Sequence, residues 1–191
     1  ESCSSGGNRF DLGMIYYMPQ TWCSDQTEPC HRVYIQEGTL CGYPQSTMGA
    51  HVSAWKNASY ETKFNVACIG AFGYELDPTK WTKEETALIK TQIEYYKAHR
   101  RLLQFGEYRR YDSVFEEAGR GSWIVTSPDK SEAIAFLCET KELLNSGAAK
   151  WRLGGFDNDA TYSVEVRSQR GFKDNAVISY ETKGDVLNNC E

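Results

Sequence analysis

The strongest constraint on the fold is a change of pattern along this 191-residue chain. Residues 1–111 alternate short apolar runs with helical stretches, which is typical of parallel βα units. From Ser113 onward, runs rich in Val, Ile, Trp, Phe and Tyr are separated by turn residues, which indicates antiparallel strands. The pattern predicts an α/β part followed by an all-β part, the latter preferably a sandwich.

Three strands are predicted in the first part. They are Met14–Trp22, a segment near Thr47–Val52, and Tyr74–Leu76. The polar and Gly-rich segments 3–7, 23–25 and 42–45 end or follow strands of this part. Because the ends of parallel strands meet at one face of a barrel, these segments are expected to line a common site.

Three helices are predicted between and after these strands. The first begins at Glu28-Pro29, runs through Val33 and Ile35, and stops at Gly38. The second is indicated by helical spacing of apolar residues over 64–72, with Gly73 ending it. The third is a long helix opened by the capping box Thr82–Glu85.

The second part is predicted to contain four strands: Ser122–Thr126, Glu132–Cys138, Lys150–Leu153 and Thr161–Val166. Residues 116–121 have the composition of a linker. We therefore expect one domain over residues 1–115 and a second, either complete or truncated, over residues 116–191. The chain begins at Glu1 without Met or a signal-like segment, so we expect it to be a fragment.

Composition excludes several classes of partner. The net charge is -5 and no Lys/Arg cluster stands out, which argues against nucleic acid and anionic membranes. The seven cysteines form no Cys-x-x-Cys pair and the three histidines are isolated, so neither a metal nor another cofactor is expected. Free thiols indicate a reducing compartment, and we expect a cytoplasmic protein.

Asp25 is the principal candidate for chemistry. It follows the predicted strand directly, and Trp22 beside it offers a flat apolar face that suits a sugar ring. The alternative is that Asp25 caps the helix that follows. Gly6 and Gly7 would let the backbone approach a ligand, or they simply form a tight turn.

Several segments resemble the α-galactosidases of glycoside hydrolase family 36, nearly continuously through the first half. They are Glu-Ser-Cys-Ser-Ser-Gly-Gly-Asn-Arg-Phe-Asp at 1–11, Tyr-Met-Pro-Gln-Thr-Trp-Cys-Ser-Asp at 17–25, Gly-Tyr-Pro at 42–44, Met-Gly-Ala-His-Val-Ser at 48–53 and Gly-Tyr-Glu-Leu-Asp-Pro-Thr-Lys at 73–80. The resemblance implies the second half of a (β/α)8 TIM barrel followed by a C-terminal antiparallel β-sandwich. Cys3 would then end the fifth barrel strand and Asp25 the sixth, with His51 near the seventh and Leu76 near the eighth.

The resemblance also implies site residues. Asp25 matches the general acid/base, and Cys3 and Gly6 match positions that contact the galactose ring. Trp22 joins them as a substrate-binding residue. The family's nucleophile is an Asp in a Lys-Trp-Asp motif, but here Lys80-Trp81 is followed by Thr82 and Lys150-Trp151 by Arg152. The nucleophile is therefore expected outside this chain, and the isolated chain is expected to be inactive.

The expected function is a retaining α-galactosidase that acts on raffinose-type oligosaccharides and melibiose, with the full-length protein a homo-oligomer. Two alternatives remain open. A related enzyme of the same fold would act on α-N-acetylgalactosaminides or transfer galactose. A fragment without its nucleophile would bind carbohydrate without cleaving it.

Overall fold

A computed structural model describes residues 2–3, 10–54, 58–116, 119–141, 153–167 and 177–189. The contacts divide the chain into two units, Glu1–Gly106 and Glu107–Glu191. The division lies before the predicted 115/116 boundary because the segment that follows it is a strand, β4 (Glu107–Asp112), of the second unit. Tyrosines are its sole aromatic or apolar residues, so an apolar pattern does not reveal it.

The first unit alternates helices and parallel strands. Its elements in chain order are α1 (Leu12–Tyr17), β1 (Thr21–Trp22), α2 (Pro29–Leu40), β2 (Met48–Val52), α3 (Tyr60–Ala67), β3 (Ala71–Tyr74) and α4 (Lys83–Phe105). Short 3-10 turns cover Gln45–Thr47 and Pro78–Lys80. The strands pair in parallel in the order β1-β2-β3, and Ser2 adds a parallel bridge to Thr21. The predicted parallel βα order is confirmed.

The two faces of β2 have different surroundings. Met48, Ala50 and Val52 are fully or almost fully buried, and Ala50 and Val52 form a core cluster with Ala67 of α3. Since successive side chains of a strand point to opposite faces, His51 belongs to the other face. The helix-covered face therefore carries the core, and the face that holds His51 is left for the site.

The predicted strand Met14–Trp22 is wrong over most of its length. The Asp11 carboxylate accepts a hydrogen bond from the Met14 N–H and caps α1, so the apolar run begins as a helix. Its Tyr16 and Tyr17 side chains are 82% and 78% exposed. Strand structure is limited to β1, where burial begins. A short apolar run does not distinguish helix from strand by its period alone.

The predicted helix over 64–72 is two elements. Helix α3 ends at Ala67 with Cys68 as its C-cap, and the chain turns at Gly70 into β3. The Phe64 and Phe72 rings still contact edge to face, with centroids 5.3 Å apart. The spacing that resembled one helix face therefore reflects two elements packed together. The predicted strand Tyr74–Leu76 is shifted accordingly, since β3 ends at Tyr74.

Two helix starts are confirmed. Glu28 is the N-cap of α2, Pro29 is its first residue, and the helix continues past Gly38 to Leu40. At α4, the Thr82 hydroxyl accepts from the Glu85 N–H and the Glu85 carboxylate accepts from the Thr82 N–H. Local hydrogen bonding sets both starts, which is why the sequence locates them well.

The second unit is antiparallel, as predicted. After β4 its elements are β5 (Arg120–Thr126), β6 (Ala133–Glu139), β7 (Thr161–Arg167), β8 (Val177–Lys183) and α5 (Gly184–Asn189). One sheet has the order β4-β5-β6, and a second consists of β7 and β8.

Three of the four predicted strands of this unit are confirmed within one or two residues, as β5, β6 and β7. Most of the fourth, Lys150–Leu153, lies outside the described residues. The linker prediction over 116–121 is wrong at its end, because β5 already begins at Arg120. Gly119, with φ +59°, forms part of the connection between β4 and β5. The sequence analysis did not identify β8 or α5.

Replacing Gly70 by Ala should destabilise the protein. A Cβ at Gly70 would collide with the backbone carbonyl oxygen of Met48, which cannot move without disturbing the β2–β3 pairing. We expect the free energy of unfolding to fall by about 1–3 kcal/mol. Gly38→Ala is the matched control: no heavy atom lies within 4 Å of its Cβ position, and it should be neutral or stabilising by up to about 1 kcal/mol. Urea unfolding of both variants checks this, and equal midpoints would contradict it.

Candidate functional site

Chemistry-bearing side chains gather where the parallel strands of the first unit end. Cys3 follows the bridge at Ser2, Asp25 follows β1, Ser53 follows β2 and Glu75 follows β3. Because the strands are parallel and adjacent, these positions share one edge of the sheet. The structure therefore brings Cys3 and Asp25 to the same edge, as expected.

Asp25 is exposed and its carboxylate is held by a neighbour. The indole N–H of Trp22 (Nε1) donates to Asp25 Oδ1 at 2.9 Å. The alternative role as a helix cap belongs to another residue, because Glu28 is the N-cap of α2 and accepts from the His31 N–H. With one oxygen held and the side chain exposed, the other oxygen of Asp25 can face a ligand.

The loop that carries Asp25 is tied at its far end. The buried Glu28 carboxylate accepts from both the His31 N–H and the His31 ring, with Oε2–N distances of 2.9 and 2.8 Å. The Thr27 and Ser53 hydroxyl oxygens lie 2.6 Å apart in a hydrogen bond. This bond joins the loop after β1 to the end of β2, so Asp25 is carried by a short, anchored segment.

Trp22 is buried, with 9% of its surface exposed. The Arg32 guanidinium carbon lies 4.5 Å from the centroid of its ring, and the His51 ring centroid lies 4.9 Å away at an angle of 46°. Trp22 thus links Asp25 to one cation and one imidazole. Its predicted role in substrate binding stays a prediction, since the structure holds no sugar.

Arg32 lies on the inner side of α2 and is 2% exposed. None of its three guanidinium nitrogens has a hydrogen-bond partner among the described residues. Burial lowers the pKa of Arg32, while the nearby Cys23 thiol, Glu75 and Asp25 act in the opposite direction. The Cys23 thiol is the largest of these opposing influences on the Arg32 pKa.

His51 lies beside a cavity at the open face of the sheet. Its Nδ1 is 3.8 Å from Glu75 Oε1, and its ring sits so close to Gly73 that a Cβ there would approach it to 3.0 Å. The cavity, of about 530 Å³, is lined on the strand side by Gln20, Gly49, His51, Ala71 and Phe72. Residues of α4 close the other side: Tyr96, Arg100, Arg101, Gln104 and Phe105.

The cysteines in the described part of the chain are free thiols. Cys3 is exposed at the strand edge, whereas Cys68 is buried and its pKa is raised to about 12 by desolvation. Gly6, predicted to contact the sugar, lies outside the described residues. Within the described ranges, no three His, Cys, Asp or Glu side chains are grouped so that they could hold a metal ion. Among the described helices, none combines the length and apolar character that crossing a bilayer requires.

Sequence reasoning identified Asp25 and Trp22 but missed Arg32 and Glu75. The buried residues of α2 are Pro29, Arg32, Gln36 and Glu37, so its inner side is largely polar. An apolar pattern directed attention instead to Val33 and Ile35, which are half-buried. The available signal was the spacing of Arg32 and Gln36, four residues apart on one side of the helix.

Comparison with known proteins gives a consistent result for both units. Residues 1–106 match the melibiase family, and residues 120–190 match the glycosyl hydrolase family 36 C-terminal domain. The α-galactosidase AgaA of Geobacillus stearothermophilus is 47% identical over 171 residues, which is 86% of this chain and 23% of that protein. The bifunctional α-galactosidase/sucrose kinase AgaSK of Mediterraneibacter gnavus is 39% identical, covering 93% of this chain and 20% of its own length.

Solved structures agree. An α-galactosidase from Lactobacillus brevis superposes with a TM-score of 0.86 at 40% identity, covering 99% of this chain and 25% of that one. A variant of AgaA in complex with raffinose gives 0.85 at 41% identity, covering 98% of this chain and 25% of that one. The chain therefore spans about a quarter of the length of the relatives it matches.

Proposed function

Because the chain belongs to the melibiase family, and its second unit to the family 36 C-terminal domain, we propose that it forms part of a retaining α-galactosidase. It comprises the second half of a (β/α)8 barrel and an antiparallel β domain. The observation that carries the proposal is Asp25: an exposed carboxyl at the C-terminal edge of the parallel strands, with Oδ1 fixed by the Trp22 indole. A relative crystallised with raffinose supports a galactoside of that kind as substrate.

In this mechanism Asp25 acts twice. It first donates its proton to the glycosidic oxygen of the leaving group while a second carboxylate attacks the anomeric carbon and forms a glycosyl-enzyme. The Asp25 carboxylate then removes a proton from the water that displaces the enzyme carboxylate, which restores both groups. The two carboxyl groups of a retaining enzyme stand about 5–5.5 Å apart.

The second carboxylate is proposed to come from polypeptide beyond this sequence, because no Lys-Trp-Asp motif occurs in it. The same absence favours one competing function, a carbohydrate-binding fragment without hydrolytic activity. Assays of the full-length protein against the isolated chain separate the two: turnover that requires both parts supports the enzyme.

Asp25→Asn in the full-length protein should abolish acid assistance. We expect kcat/KM for raffinose to fall by about 10²-fold or more, and kcat/KM for a nitrophenyl α-galactoside, whose leaving group needs little protonation, to fall far less. Azide, which needs no general base, should restore turnover of the nitrophenyl substrate and yield an α-galactosyl azide.

Asp77→Asn is the matched control for this prediction. Asp77 also follows a strand of the sheet, but its carboxylate accepts from the Thr79 N–H and hydroxyl in a surface turn. Its variant should keep wild-type kinetics on both substrates. Raffinose hydrolysis at the wild-type rate by Asp25→Asn would refute the assignment.

Cys3 is proposed to contact the galactose ring, with Gly6 and Trp22 as further substrate-binding residues. Cys3 is exposed at the strand edge, which supports contact with a ligand. Alkylation of the full-length protein, followed by peptide mapping, should label Cys3 less when galactose is present. Cys41, also exposed, should be labelled equally in both samples, and Cys68, whose pKa is about 12, in neither. Equal labelling of Cys3 with and without galactose would contradict the contact.

We further propose a cytoplasmic homo-oligomer. Free thiols in the described residues support a reducing compartment.

The oligomeric state is argued from α1. Its Leu12, Tyr16 and Tyr17 side chains are 76%, 82% and 78% exposed, and they form an apolar surface that further polypeptide would cover. Light scattering on the full-length protein should give a mass of more than one copy, and Tyr16→Ser should shift it toward the monomer. A monomeric wild-type protein would contradict the proposal.

A further inference from the structure

Arg32 is the least explained buried side chain of the first unit. It is 2% exposed, its guanidinium nitrogens have no hydrogen-bond partner among the described residues, and burial lowers its pKa. An isolated buried cation is unfavourable unless nearby groups compensate it. The compensation in this unit comes from an aromatic ring and from Cys23, Glu75 and Asp25, which raise the Arg32 pKa.

The aromatic ring is that of Trp22. The guanidinium carbon of Arg32 is 4.5 Å from the ring centroid, within the range in which a cation is attracted to an indole. Arg32 is fixed in turn by α2, whose start is set by the Glu28 cap and by the Arg32 N–H to Glu28 carbonyl bond of 2.9 Å. The cation thus lies on α2 and contacts the ring of a residue from the neighbouring strand β1.

The indole then acts on Asp25. Its Nε1–H donates to Asp25 Oδ1 at 2.9 Å, so rotation of the ring would break this bond or move the carboxylate. His51 restricts the same ring, with centroids 4.9 Å apart. Asp25 itself is exposed, and in the described part of the chain the Trp22 bond is the side-chain hydrogen bond that its carboxylate makes.

We propose that Arg32 is a positioning residue for Asp25: through its contact with Trp22 it holds the indole N–H on one carboxyl oxygen and thereby directs the other toward the glycosidic oxygen. Arg32 touches neither substrate nor the reacting atoms in this arrangement. The inference rests on the proposed function, since it assigns a geometry to the acid/base of that reaction. It extends that function by assigning a residue of α2 to the control of acid assistance.

A positioning role predicts a specific kinetic pattern. Arg32→Met keeps an unbranched, flexible side chain and removes the cation, so the indole loses its attraction to α2. In the full-length protein we expect kcat/KM for raffinose to fall about 10- to 100-fold, while kcat/KM for a nitrophenyl α-galactoside stays within about threefold. Any change in KM should be the same for both substrates, because a Trp22 contact with the galactose ring is common to them. Arg32→Lys retains a cation near the ring and should recover part of the loss.

Two further variants test the route through Trp22. Trp22→Phe keeps an aromatic ring but removes the N–H donor, and should show the same substrate pattern. The double variant with Arg32→Met should lose little more than either single one, because both changes break the same connection. Lys63→Met is the matched control: Lys63 is also buried and lies 5.1 Å from an aromatic ring, but that ring is Tyr60 of α3 and not Trp22. Its ratio of the two kcat/KM values should equal that of the wild type.

A structural readout separates this inference from the proposed function. Fluorine NMR of protein labelled with fluorotryptophan, with the Trp22 signal assigned through Trp22→Phe, should show that signal shifted by both Arg32→Met and Asp25→Asn. If Asp25→Asn leaves raffinose hydrolysis intact, the proposed function fails whatever Arg32 does. Suppose instead that Asp25→Asn abolishes acid assistance. If Arg32→Met then lowers kcat/KM equally for both substrates, or leaves the Trp22 signal unmoved, the positioning role is overturned and the proposed function stands. Full additivity of Arg32→Met and Trp22→Phe would overturn it as well.

Discussion

Parallel pairing of Ser2, β1, β2 and β3 is the constraint on which the first unit depends. It places the ends of consecutive strands at one edge, so residues distant in sequence, such as Cys3, Asp25 and Glu75, become neighbours without long loops. The pairing requires close approach, and Gly70 provides it where α3 turns into β3 beside the Met48 carbonyl. The placement of the side chains at this edge therefore depends on the space that Gly70 leaves at the opposite end of the same strands.

Arg32 illustrates how such a site differs from a core built for stability. Burying an ion costs several kcal/mol in effective terms, whereas a desolvated contact with an indole returns about 2 kcal/mol or more. Cys23, Glu75 and Asp25 oppose the effect of burial on the Arg32 pKa, and the Trp22 ring lies 4.5 Å from the guanidinium carbon. The proposed positioning of the Trp22 indole explains why a cation is buried at this position. Preorganised sites often cost a protein some stability in this way.

The sequence predicts features that local hydrogen bonds determine, but not those that depend on packing between elements. The Thr82–Glu85 box and the Glu28-Pro29 start were predictable because each helix start satisfies its own N–H groups. The break between α3 and β3 was not, because Phe64 and Phe72 meet across two elements and their spacing imitates one helix face. At the site, Asp25 was visible from its place after a strand. Arg32 was not, because a buried polar side chain carries no signature in a hydrophobic pattern.

The glycine at position 73 has a consequence for anyone redesigning this edge of the sheet. His51 rests against it, and Trp22 and Asp25 follow in a line of contacts. A side chain at position 73, introduced to reshape the sheet edge, would press on the imidazole, and the imidazole would press on the indole. Under the proposed function, a change to the pocket wall at this edge therefore also moves the residue that delivers the proton. A library that varies the residues of the pocket wall but keeps Asp25 would therefore change proton delivery as well as substrate preference.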